Sequence, residues 1–492
     1  MIKNRKTALT IIFIFYFLGI LIRLPNLNRP LSDHNEYVAA NALMCIIAWA
    51  DGGGAGKFNF VPIASYQNGG DKVYTGSISD SSGNVLYITF GPGWCVLPYC
   101  ITKVFHITPS PLFLQLLNLF LHFVSCLIFF EIVCILFNKL YPDNYLPHAI
   151  SCIVFILNPS LLWIMGNAYL PGGIALPFIL LVTLYFTKMI DDAKNINVRN
   201  TSISFIALFC AVYCDWIGVF IGCSFGAVLL FQTRKNKKYF IPTLTSFFAI
   251  FASLCTMFIQ FISHTGLQKT REILSNRLLY RTYGSDGHGI FFLLKWMIDI
   301  FFTRNFSVLL LIFISWIFLK KKKNKLTISF PLKFFIGAMI VLLIYNVIFL
   351  GWTAANDFSV MNYVIPFSIL SGILVYEVFP AKQMFLILSV FFALCLLEYY
   401  YFNRPGNLDR KNRPYNEYKK LGEQIKEIAK PDEIIFINAE PAPQGWYYTR
   451  RNYYMVNSFE EAKTDFKRWK QNKCIYINQQ NSNIIWYKRM TK

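Results

Sequence analysis

Long apolar runs separated by short polar segments set the pattern of this chain. The first run covers 7–23 and follows Lys3, Arg5 and Lys6. Further runs lie at 112–137, 149–165, 170–187, 202–214, 216–232, 240–263, 305–319, 332–350, 363–379 and 383–402. Crossing a bilayer takes about 17–25 largely uncharged residues, fewer at a polar end or a favourable tilt. The pattern therefore predicts about eleven transmembrane helices, with 202–214 and 216–232 able to form one hairpin around Asp215. The first run lacks a small-x-small cleavage site and reads as an uncleaved span.

Two polar regions interrupt this pattern. The stretch 24–87 holds a charged cluster, a predicted surface helix from Glu36 to Ala50, and a Gly-, Asn-, Asp- and Ser-rich loop. That loop carries Gly52-Gly53-Gly54 and Ser81-Ser82-Gly83-Asn84, where two hairpin-like turns are expected. Next comes Tyr87-Ile88-Thr89-Phe90-Gly91-Pro92-Gly93-Trp94. It leads into an apolar segment, Cys95 to Phe105, too short to span and bounded by Pro109 and Pro111. A helix lying in the interface or re-entering the membrane is predicted there. The second polar region is the tail. It predicts a helix at Tyr415–Lys430, strands at Glu433–Asn438 and Tyr453–Asn457, a helix at Phe459–Lys470 and a strand at Cys474–Asn478. The expected organisation is an all-α polytopic membrane domain, 1–402, whose first outer loop is 24–111, and a small α/β domain, 403–492, docked on it.

Composition agrees with a membrane protein. Of 492 residues, 55% are hydrophobic and only 15% charged, against about 25% charged in an average soluble domain. The net charge of +21 would suggest nucleic acid in a soluble protein. Here much of the excess sits in short loops, including Arg234, Lys235, Lys237 and Lys238 and the run Lys320 to Lys323, as orientation signals do. The short loops 166–169 and 351–362 carry no Lys or Arg. This asymmetry predicts a cytoplasmic N-terminus, and a periplasmic face that holds the charged cluster, the loop 264–304 and the C-terminus. The 12 cysteines include no CxxC and no zinc-like spacing. Most lie in apolar runs, as small buried residues.

The cluster is Arg29-Pro30-Leu31-Ser32-Asp33-His34-Asn35-Glu36-Tyr37. A carboxylate here suits the deprotonation of an acceptor hydroxyl. Asp33 is the candidate base, Glu36 a supporting carboxylate, and Arg29 or the helix start at Asn35 keeps Asp33 ionised and oriented. His34 is a hydrogen-bonding neighbour. The plainer reading is a capped helix: Asp33 or Ser32 as cap, with Glu36 closing a capping box. Arg271, Arg277 and Arg281 recur at helix-like spacing in a loop where orientation gives no reason for basic residues. A guanidinium fork suits phosphate, though anionic lipid headgroups would also draw these residues. Asp215 and Asn356-Asp357 lie at outer turns, and Tyr87 stands ahead of the Gly-Pro-Gly segment. Trp94, Trp163, Trp216 and Trp352 fall near the expected boundary, as an aromatic belt would. Glu131, inside a span, has no evident explanation.

The layout resembles the GT-C membrane glycosyltransferases, in the branch of protein O-mannosyltransferases and the bacterial lipid A aminoarabinose transferase. The resemblance rests on Asp33 to Tyr37, on Phe90-Gly91-Pro92-Gly93-Trp94-Cys95-Val96-Leu97-Pro98-Tyr99, on Asn158-Pro159-Ser160, on Ala355 to Tyr363 ahead of Pro366, and on Glu440-Pro441 and Tyr447-Tyr448-Thr449-Arg450 in the tail. The family often has an adjacent Asp-Glu pair and a Pro-Pro segment, where this chain has two intervening residues and Gly-Pro-Gly. The resemblance implies a polyprenyl-phosphate sugar as donor, undecaprenyl in bacteria, transfer with inversion, a glycan, lipid or protein acceptor, no cofactor beyond the lipid-linked sugar, and no divalent metal. Two other classes compete. An O-antigen ligase or polymerase would use a diphosphate-linked glycan. A lipid-oligosaccharide transporter would place ionisable residues in mid-span and broken helices in matched halves.

Overall fold

The computed structural model describes residues 4–32, 36–65, 79–80, 82–142, 144–166, 169–284, 289–321, 329–400, 416–439, 442–469 and 472–492. Asp33 and His34 lie outside the described residues.

Helix α1 (Arg5–Arg23) starts where the Asn4 side chain accepts the Lys6 amide at 2.8 Å, capping one of the amides that every helix start leaves unpaired. After the strap 24–32 comes α2 (Glu36–Asp51), and then α3 (Gly93–Phe105), which runs through Pro98. α4 (Pro111–Phe137) is capped by Ser110, with Pro111 in its first turn. Its 27 residues reach about 40 Å, more than a hydrocarbon core of about 30 Å. Glu131, on α4, is ion-paired with Arg5 of α1, which accounts for a carboxylate at this point in the run.

The expected span 149–165 is broken in two. α5 (Leu146–Leu157) stops at Asn158, because Pro159 has no amide to continue it; the Asn158 side chain then caps α6 (Pro159–Ile164). Both pieces are buried among other helices, where irregular backbone inside a membrane is tolerated. α7 (Pro171–Asp191), α8 (Val198–Cys214), α9 (Ile217–Thr233) and α10 (Phe240–Thr265) pack as a group. α8 and α9 form the expected hairpin around Asp215. It is tight at Gly218, where a Cβ would sit 2.6 Å from the Val212 amide nitrogen.

α11 (Leu267–Tyr283) follows Gly266, and α12 (Ile290–Arg304) bends 79° into α13 (Phe306–Lys321). The expected span 332–350 is also segmented, into α14 (Phe330–Met339), α15 (Val341–Ile348) and α16 (Leu350–Ala355). A 3-10 stretch, Asp357–Tyr363, leads into α17 (Val364–Val378), and α18 (Ala381–Glu398) follows. Among the described residues, six helices are long and apolar enough to cross a membrane, or seven if the bent α12–α13 pair counts as one span. The expectation was about eleven. The difference comes from the broken run 149–165, from α8 and α9, which have 17 residues each, and from 383–402, which is not among those counted; the segmented run Pro331–Ile348 still counts as one.

The tail builds a four-stranded sheet, ordered β2-β1-β3-β4, from β1 (Ile434–Ile437), β2 (Tyr454–Met455), β3 (Lys473–Gln480) and β4 (Asn483–Thr491). β1 runs parallel to β2 and β3, with Ile435 opposite Ile475; β4 is antiparallel to β3. α19 (Glu417–Ile428) packs Leu421 and Ile425 over Ile435 and Ile437, while α21 (Phe459–Phe466) packs Ala462 and Phe466 over Ile434 and Phe436. The alternate faces of one strand serve the two layers. Between β1 and β2 lies a helix the sequence pattern did not predict, α20 (Pro443–Thr449).

Candidate functional site

The site is assembled from four separated segments at one end of the bundle. The first is the strap before α2. Glu36 is 2% exposed. One of its oxygens pairs with the Arg29 guanidinium, and the other accepts the Ser32 amide. Arg29 also donates to Ser32 Oγ at 3.3 Å. Both oxygens of Glu36 are therefore engaged in holding the strap, which makes it an orienting carboxylate. Asp33 and His34 belong to the three residues between these anchored points, outside the described set.

The second segment is 87–94. Gly91 and Gly93 lie against the end of α8: a Cβ on Gly91 would strike the Tyr213 carbonyl, and one on Gly93 would sit 2.8 Å from Cys214 Sγ. Only glycine permits this approach. The contact brings Thr89 to Trp216 and Arg281, and its carbonyl accepts from Trp216 Nε1 at 3.0 Å and Arg281 Nη2 at 2.7 Å. Tyr87 packs edge-on to Trp94, 5.5 Å between ring centres. Burial raises its hydroxyl pKa, with Tyr37 adding to the rise while Arg277 and Arg281 oppose it. Those influences place both arginines near Tyr87.

The third segment is α11. Arg281 is 3% exposed, and its guanidinium lies 4.8 Å from the Trp352 ring centre, 5.0 Å from Phe90 and 5.8 Å from Phe349. Such an aromatic box holds a cation without neutralising it. Among the described residues, Nε and Nη1 of Arg281 have no hydrogen-bond partner of normal geometry. Arg277, one helical turn away, is half-buried, and Arg271 is exposed. The three arginines thus separate by depth: Arg281 is buried in the site, Arg277 lies beside Tyr87, and Arg271 faces out.

The fourth segment is α16 and the 3-10 stretch behind it. Leu170, Gly172, Asp215, Tyr345, Trp352, Phe358, Ser359, Met361 and Asn362 enclose a cleft of about 330 Å³ including its open mouth. Asp215 is 7% exposed and accepts the Ile217 amide at 3.0 Å. Burial raises its pKa, more than the Ile217 hydrogen bond and the Arg281 charge lower it. A buried carboxylate thus lines the cleft, and the Arg281 charge acts on it from behind Trp352 and Tyr345, which line the cleft as well. Asn356 links this segment to α2 by accepting from the Tyr37 hydroxyl at 3.4 Å. Asp357 begins the 3-10 stretch beside it.

Two corrections follow. Trp94, Trp163 and Trp352 are buried in the protein rather than arrayed as a lipid-facing belt, and Trp352 stacks on Arg281. The sequence reading also missed Thr89, Tyr345, Ser359 and Asn362. None carries a charge, and only packing brings them to the site. Among the described residues, no three His, Cys, Asp or Glu side chains converge as a metal ligand set.

No protein-family model matches this chain, and no curated protein matches it in sequence. Solved structures do match its fold. The ArnT of Cupriavidus metallidurans bound to undecaprenyl phosphate superposes with a TM-score of 0.59 at 9% identity, over 96% of this chain and 93% of that one. The archaeal oligosaccharyltransferase AglB of Archaeoglobus fulgidus, in complex with an inhibitory peptide and a dolichol-phosphate, superposes with a TM-score of 0.52 at 11% identity, over 96% and 69%. The chain has the GT-C fold, the helical architecture that its sequence resembles.

Proposed function

We propose that this protein is a membrane glycosyltransferase that moves a sugar from a polyprenyl-phosphate donor to an acceptor at the cleft. The observation that carries the reading is Arg281: a buried guanidinium in an aromatic box, whose Nε and Nη1 lack hydrogen-bond partners of normal geometry, near the Asp215 carboxylate that lines the cleft. Such a group is costly unless an anion completes it, and a phosphate oxygen accepts from an arginine fork. The full-length likeness to a fold captured with undecaprenyl phosphate supports the same reading.

In this reading the donor phosphate meets Arg281, with Arg277 at its edge. An acceptor hydroxyl attacks the sugar's anomeric carbon, the bond from that carbon to the phosphate oxygen breaks, and the configuration inverts. The acceptor's proton passes to Asp33, which the strap carries between Ser32 and Glu36. The phosphate leaves with its charge already met, so the leaving group needs no strong acid. The Lys/Arg distribution supports a cytoplasmic N-terminus and a site on the periplasmic side of the inner membrane.

The test uses full-length protein in nanodiscs. Undecaprenyl phosphate should bind the parent, and Arg281→Ala should weaken its Kd about 10–100-fold, the range for a lost charge-assisted hydrogen bond. Arg281→Lys keeps the charge but not the fork and should fall between. In parallel, a panel of undecaprenyl-phosphate-linked sugars is scored for release of undecaprenyl phosphate in the presence of envelope lipids. Equal Kd values in parent and Arg281→Ala overturn the phosphate assignment. Turnover of undecaprenyl-diphosphate-linked glycans alone would move the chain to the ligase and polymerase class.

A further inference from the structure

The tail sheet is not an appendage beside the membrane domain. Its helix α20 enters the site. Tyr447 is buried in the main core of the bundle, and Trp446 packs against both that core and the core of the tail unit. α20 packs along α2. From α20, two side chains reach the strap: the Leu31 amide donates to the Tyr448 hydroxyl at 2.8 Å, and Gln444 Nε2 donates to the Ser32 carbonyl at 2.8 Å. The Ser32 amide on the same residue is held by Glu36, whose other oxygen holds Arg29. The strap is thus gripped from both sides, by its own ion pair and by a helix more than 400 positions away in the chain. The tail unit in turn fixes α20. At Gly422 of α19, a Cβ would sit 2.6 Å from Tyr448 Cβ and 2.8 Å from the Thr449 amide nitrogen, so α19 presses directly on the α20 backbone.

We infer that Tyr448 and Gln444 are positioning residues: the tail unit completes the site by fixing the Leu31–Ser32 backbone, and through it the Arg29–Glu36 pair at the head of α2. The chemistry requires nothing of either side chain beyond this. An amide and a carbonyl of a proline-containing strap have no secondary structure of their own to satisfy them. With α20 in place, they gain partners and one geometry. Without it, Gln115 still anchors the strap at Asn26 and Asn28, and Glu36 still holds Arg29 and the Ser32 amide, but the Leu31 amide and the Ser32 carbonyl lose these partners. Small displacements of a reacting group are expensive in rate. The tail therefore acts on turnover and leaves donor phosphate affinity to Arg281.

This inference rests on the transferase reading for its effect on rate, but its structural half can be measured without it. Tyr448→Phe removes only the accepting hydroxyl, and Gln444→Leu only the donor. In the full-length protein in nanodiscs, amide exchange in peptides covering 29–32 should rise about tenfold in each variant, the scale of one lost hydrogen bond, while α4 and β3 stay protected. Undecaprenyl phosphate should bind both variants within about twofold of the parent. With the undecaprenyl-phosphate-linked sugar that the parent turns over in the panel, kcat should fall about tenfold or more at nearly constant KM. Unchanged exchange at 29–32 overturns the inference, as does a rise in KM with kcat intact. If the double variant loses protection in β3 as well, it has come apart, and the single Tyr448→Phe variant decides. A parent inactive with every donor defeats the proposed function, while the exchange result still decides the grip.

Discussion

At the scale of single residues, the acidic cluster separates into two jobs. Glu36 is buried with both oxygens committed, one to Arg29 and one to the Ser32 amide. Its role is to hold shape. The proposed function gives the proton to Asp33, which follows Ser32 in sequence. The two assignments predict different signatures. Glu36→Gln removes one charge of a buried pair and leaves Arg29 poorly neutralised, a change that costs about 3–5 kcal/mol. Its melting temperature should drop, and turnover per folded molecule should fall with it, because the same pair holds the strap. Asp33→Asn keeps size and capping ability, since Asn caps helices about as well as Asp. It should leave melting unchanged and cut turnover by about 10²–10⁴-fold. If the Asn variant turns over within a few-fold of the parent at matched expression, Asp33 is a cap, and the base must be sought at Asp215 or Asp357. Asp215 has the environment for it, since burial lifts its carboxyl pKa above the usual range.

At the scale of elements, close backbone contacts set where Arg281 points. α11 ends at Gly284, whose φ of +78° suits glycine. The first turn of α16 passes directly over it: a Cβ on Gly351 would strike the Gly284 amide and lie 2.8 Å from the Tyr283 carbonyl carbon. Gly351→Ala must push α16 from α11 and separate Trp352 from Arg281. Overpacking of this kind costs about 1–3 kcal/mol, and undecaprenyl phosphate affinity should fall with it; an unchanged Kd would mean the arginine box does not depend on this crossing. Little of this was legible in the sequence. The spans α1, α4, α7 and α10 could be read because twenty or so apolar residues have few other uses. The broken elements could not, because burial by neighbouring helices satisfies what a lone helix would leave unpaired. β4 escaped because its hairpin turns on Asn481-Ser482, both at positive φ, where the usual signal is a glycine. α20 escaped because seven residues, beginning at Pro443, give too short a period. The glycines of 91–93 were visible, but their purpose, a close approach to Tyr213 and Cys214, lies in a helix 120 positions on.

At the scale of the whole molecule, the first loop is fastened by several distant parts of the chain. The tail grips the strap, Arg281 and Trp216 grip Thr89, and His264 grips Asp80. The last contact lies at the corner where α10 gives way, at Gly266, to the helix that carries Arg281. Asp80 Oδ2 is 3.0 Å from His264 Nε2, and Asp80 also accepts the Ser82 and Asn84 amides and the Asn84 side chain. Burial alone would raise its carboxyl pKa, but the hydrogen bonds from His264 and Asn84 outweigh it and hold the group below its ordinary value. A carboxylate lowered in the fold contributes stability that is fully present above the unfolded value of about 3.9 and is lost as pH falls through the folded one. Asp80→Asn should melt below the parent at pH 6, by roughly 2–4 °C for each kcal/mol lost. The gap should close as the pH falls below the unfolded value of about 3.9 and through the lower folded one, where the parent's own Asp80 becomes neutral. Exchange of the amides at 82–87 should rise in parallel, because that segment leads from Asp80 to Thr89. A gap that stays constant across this range would mean that the carboxylate's charge is not what fastens the loop, and that shape alone holds it to the corner beneath Arg281.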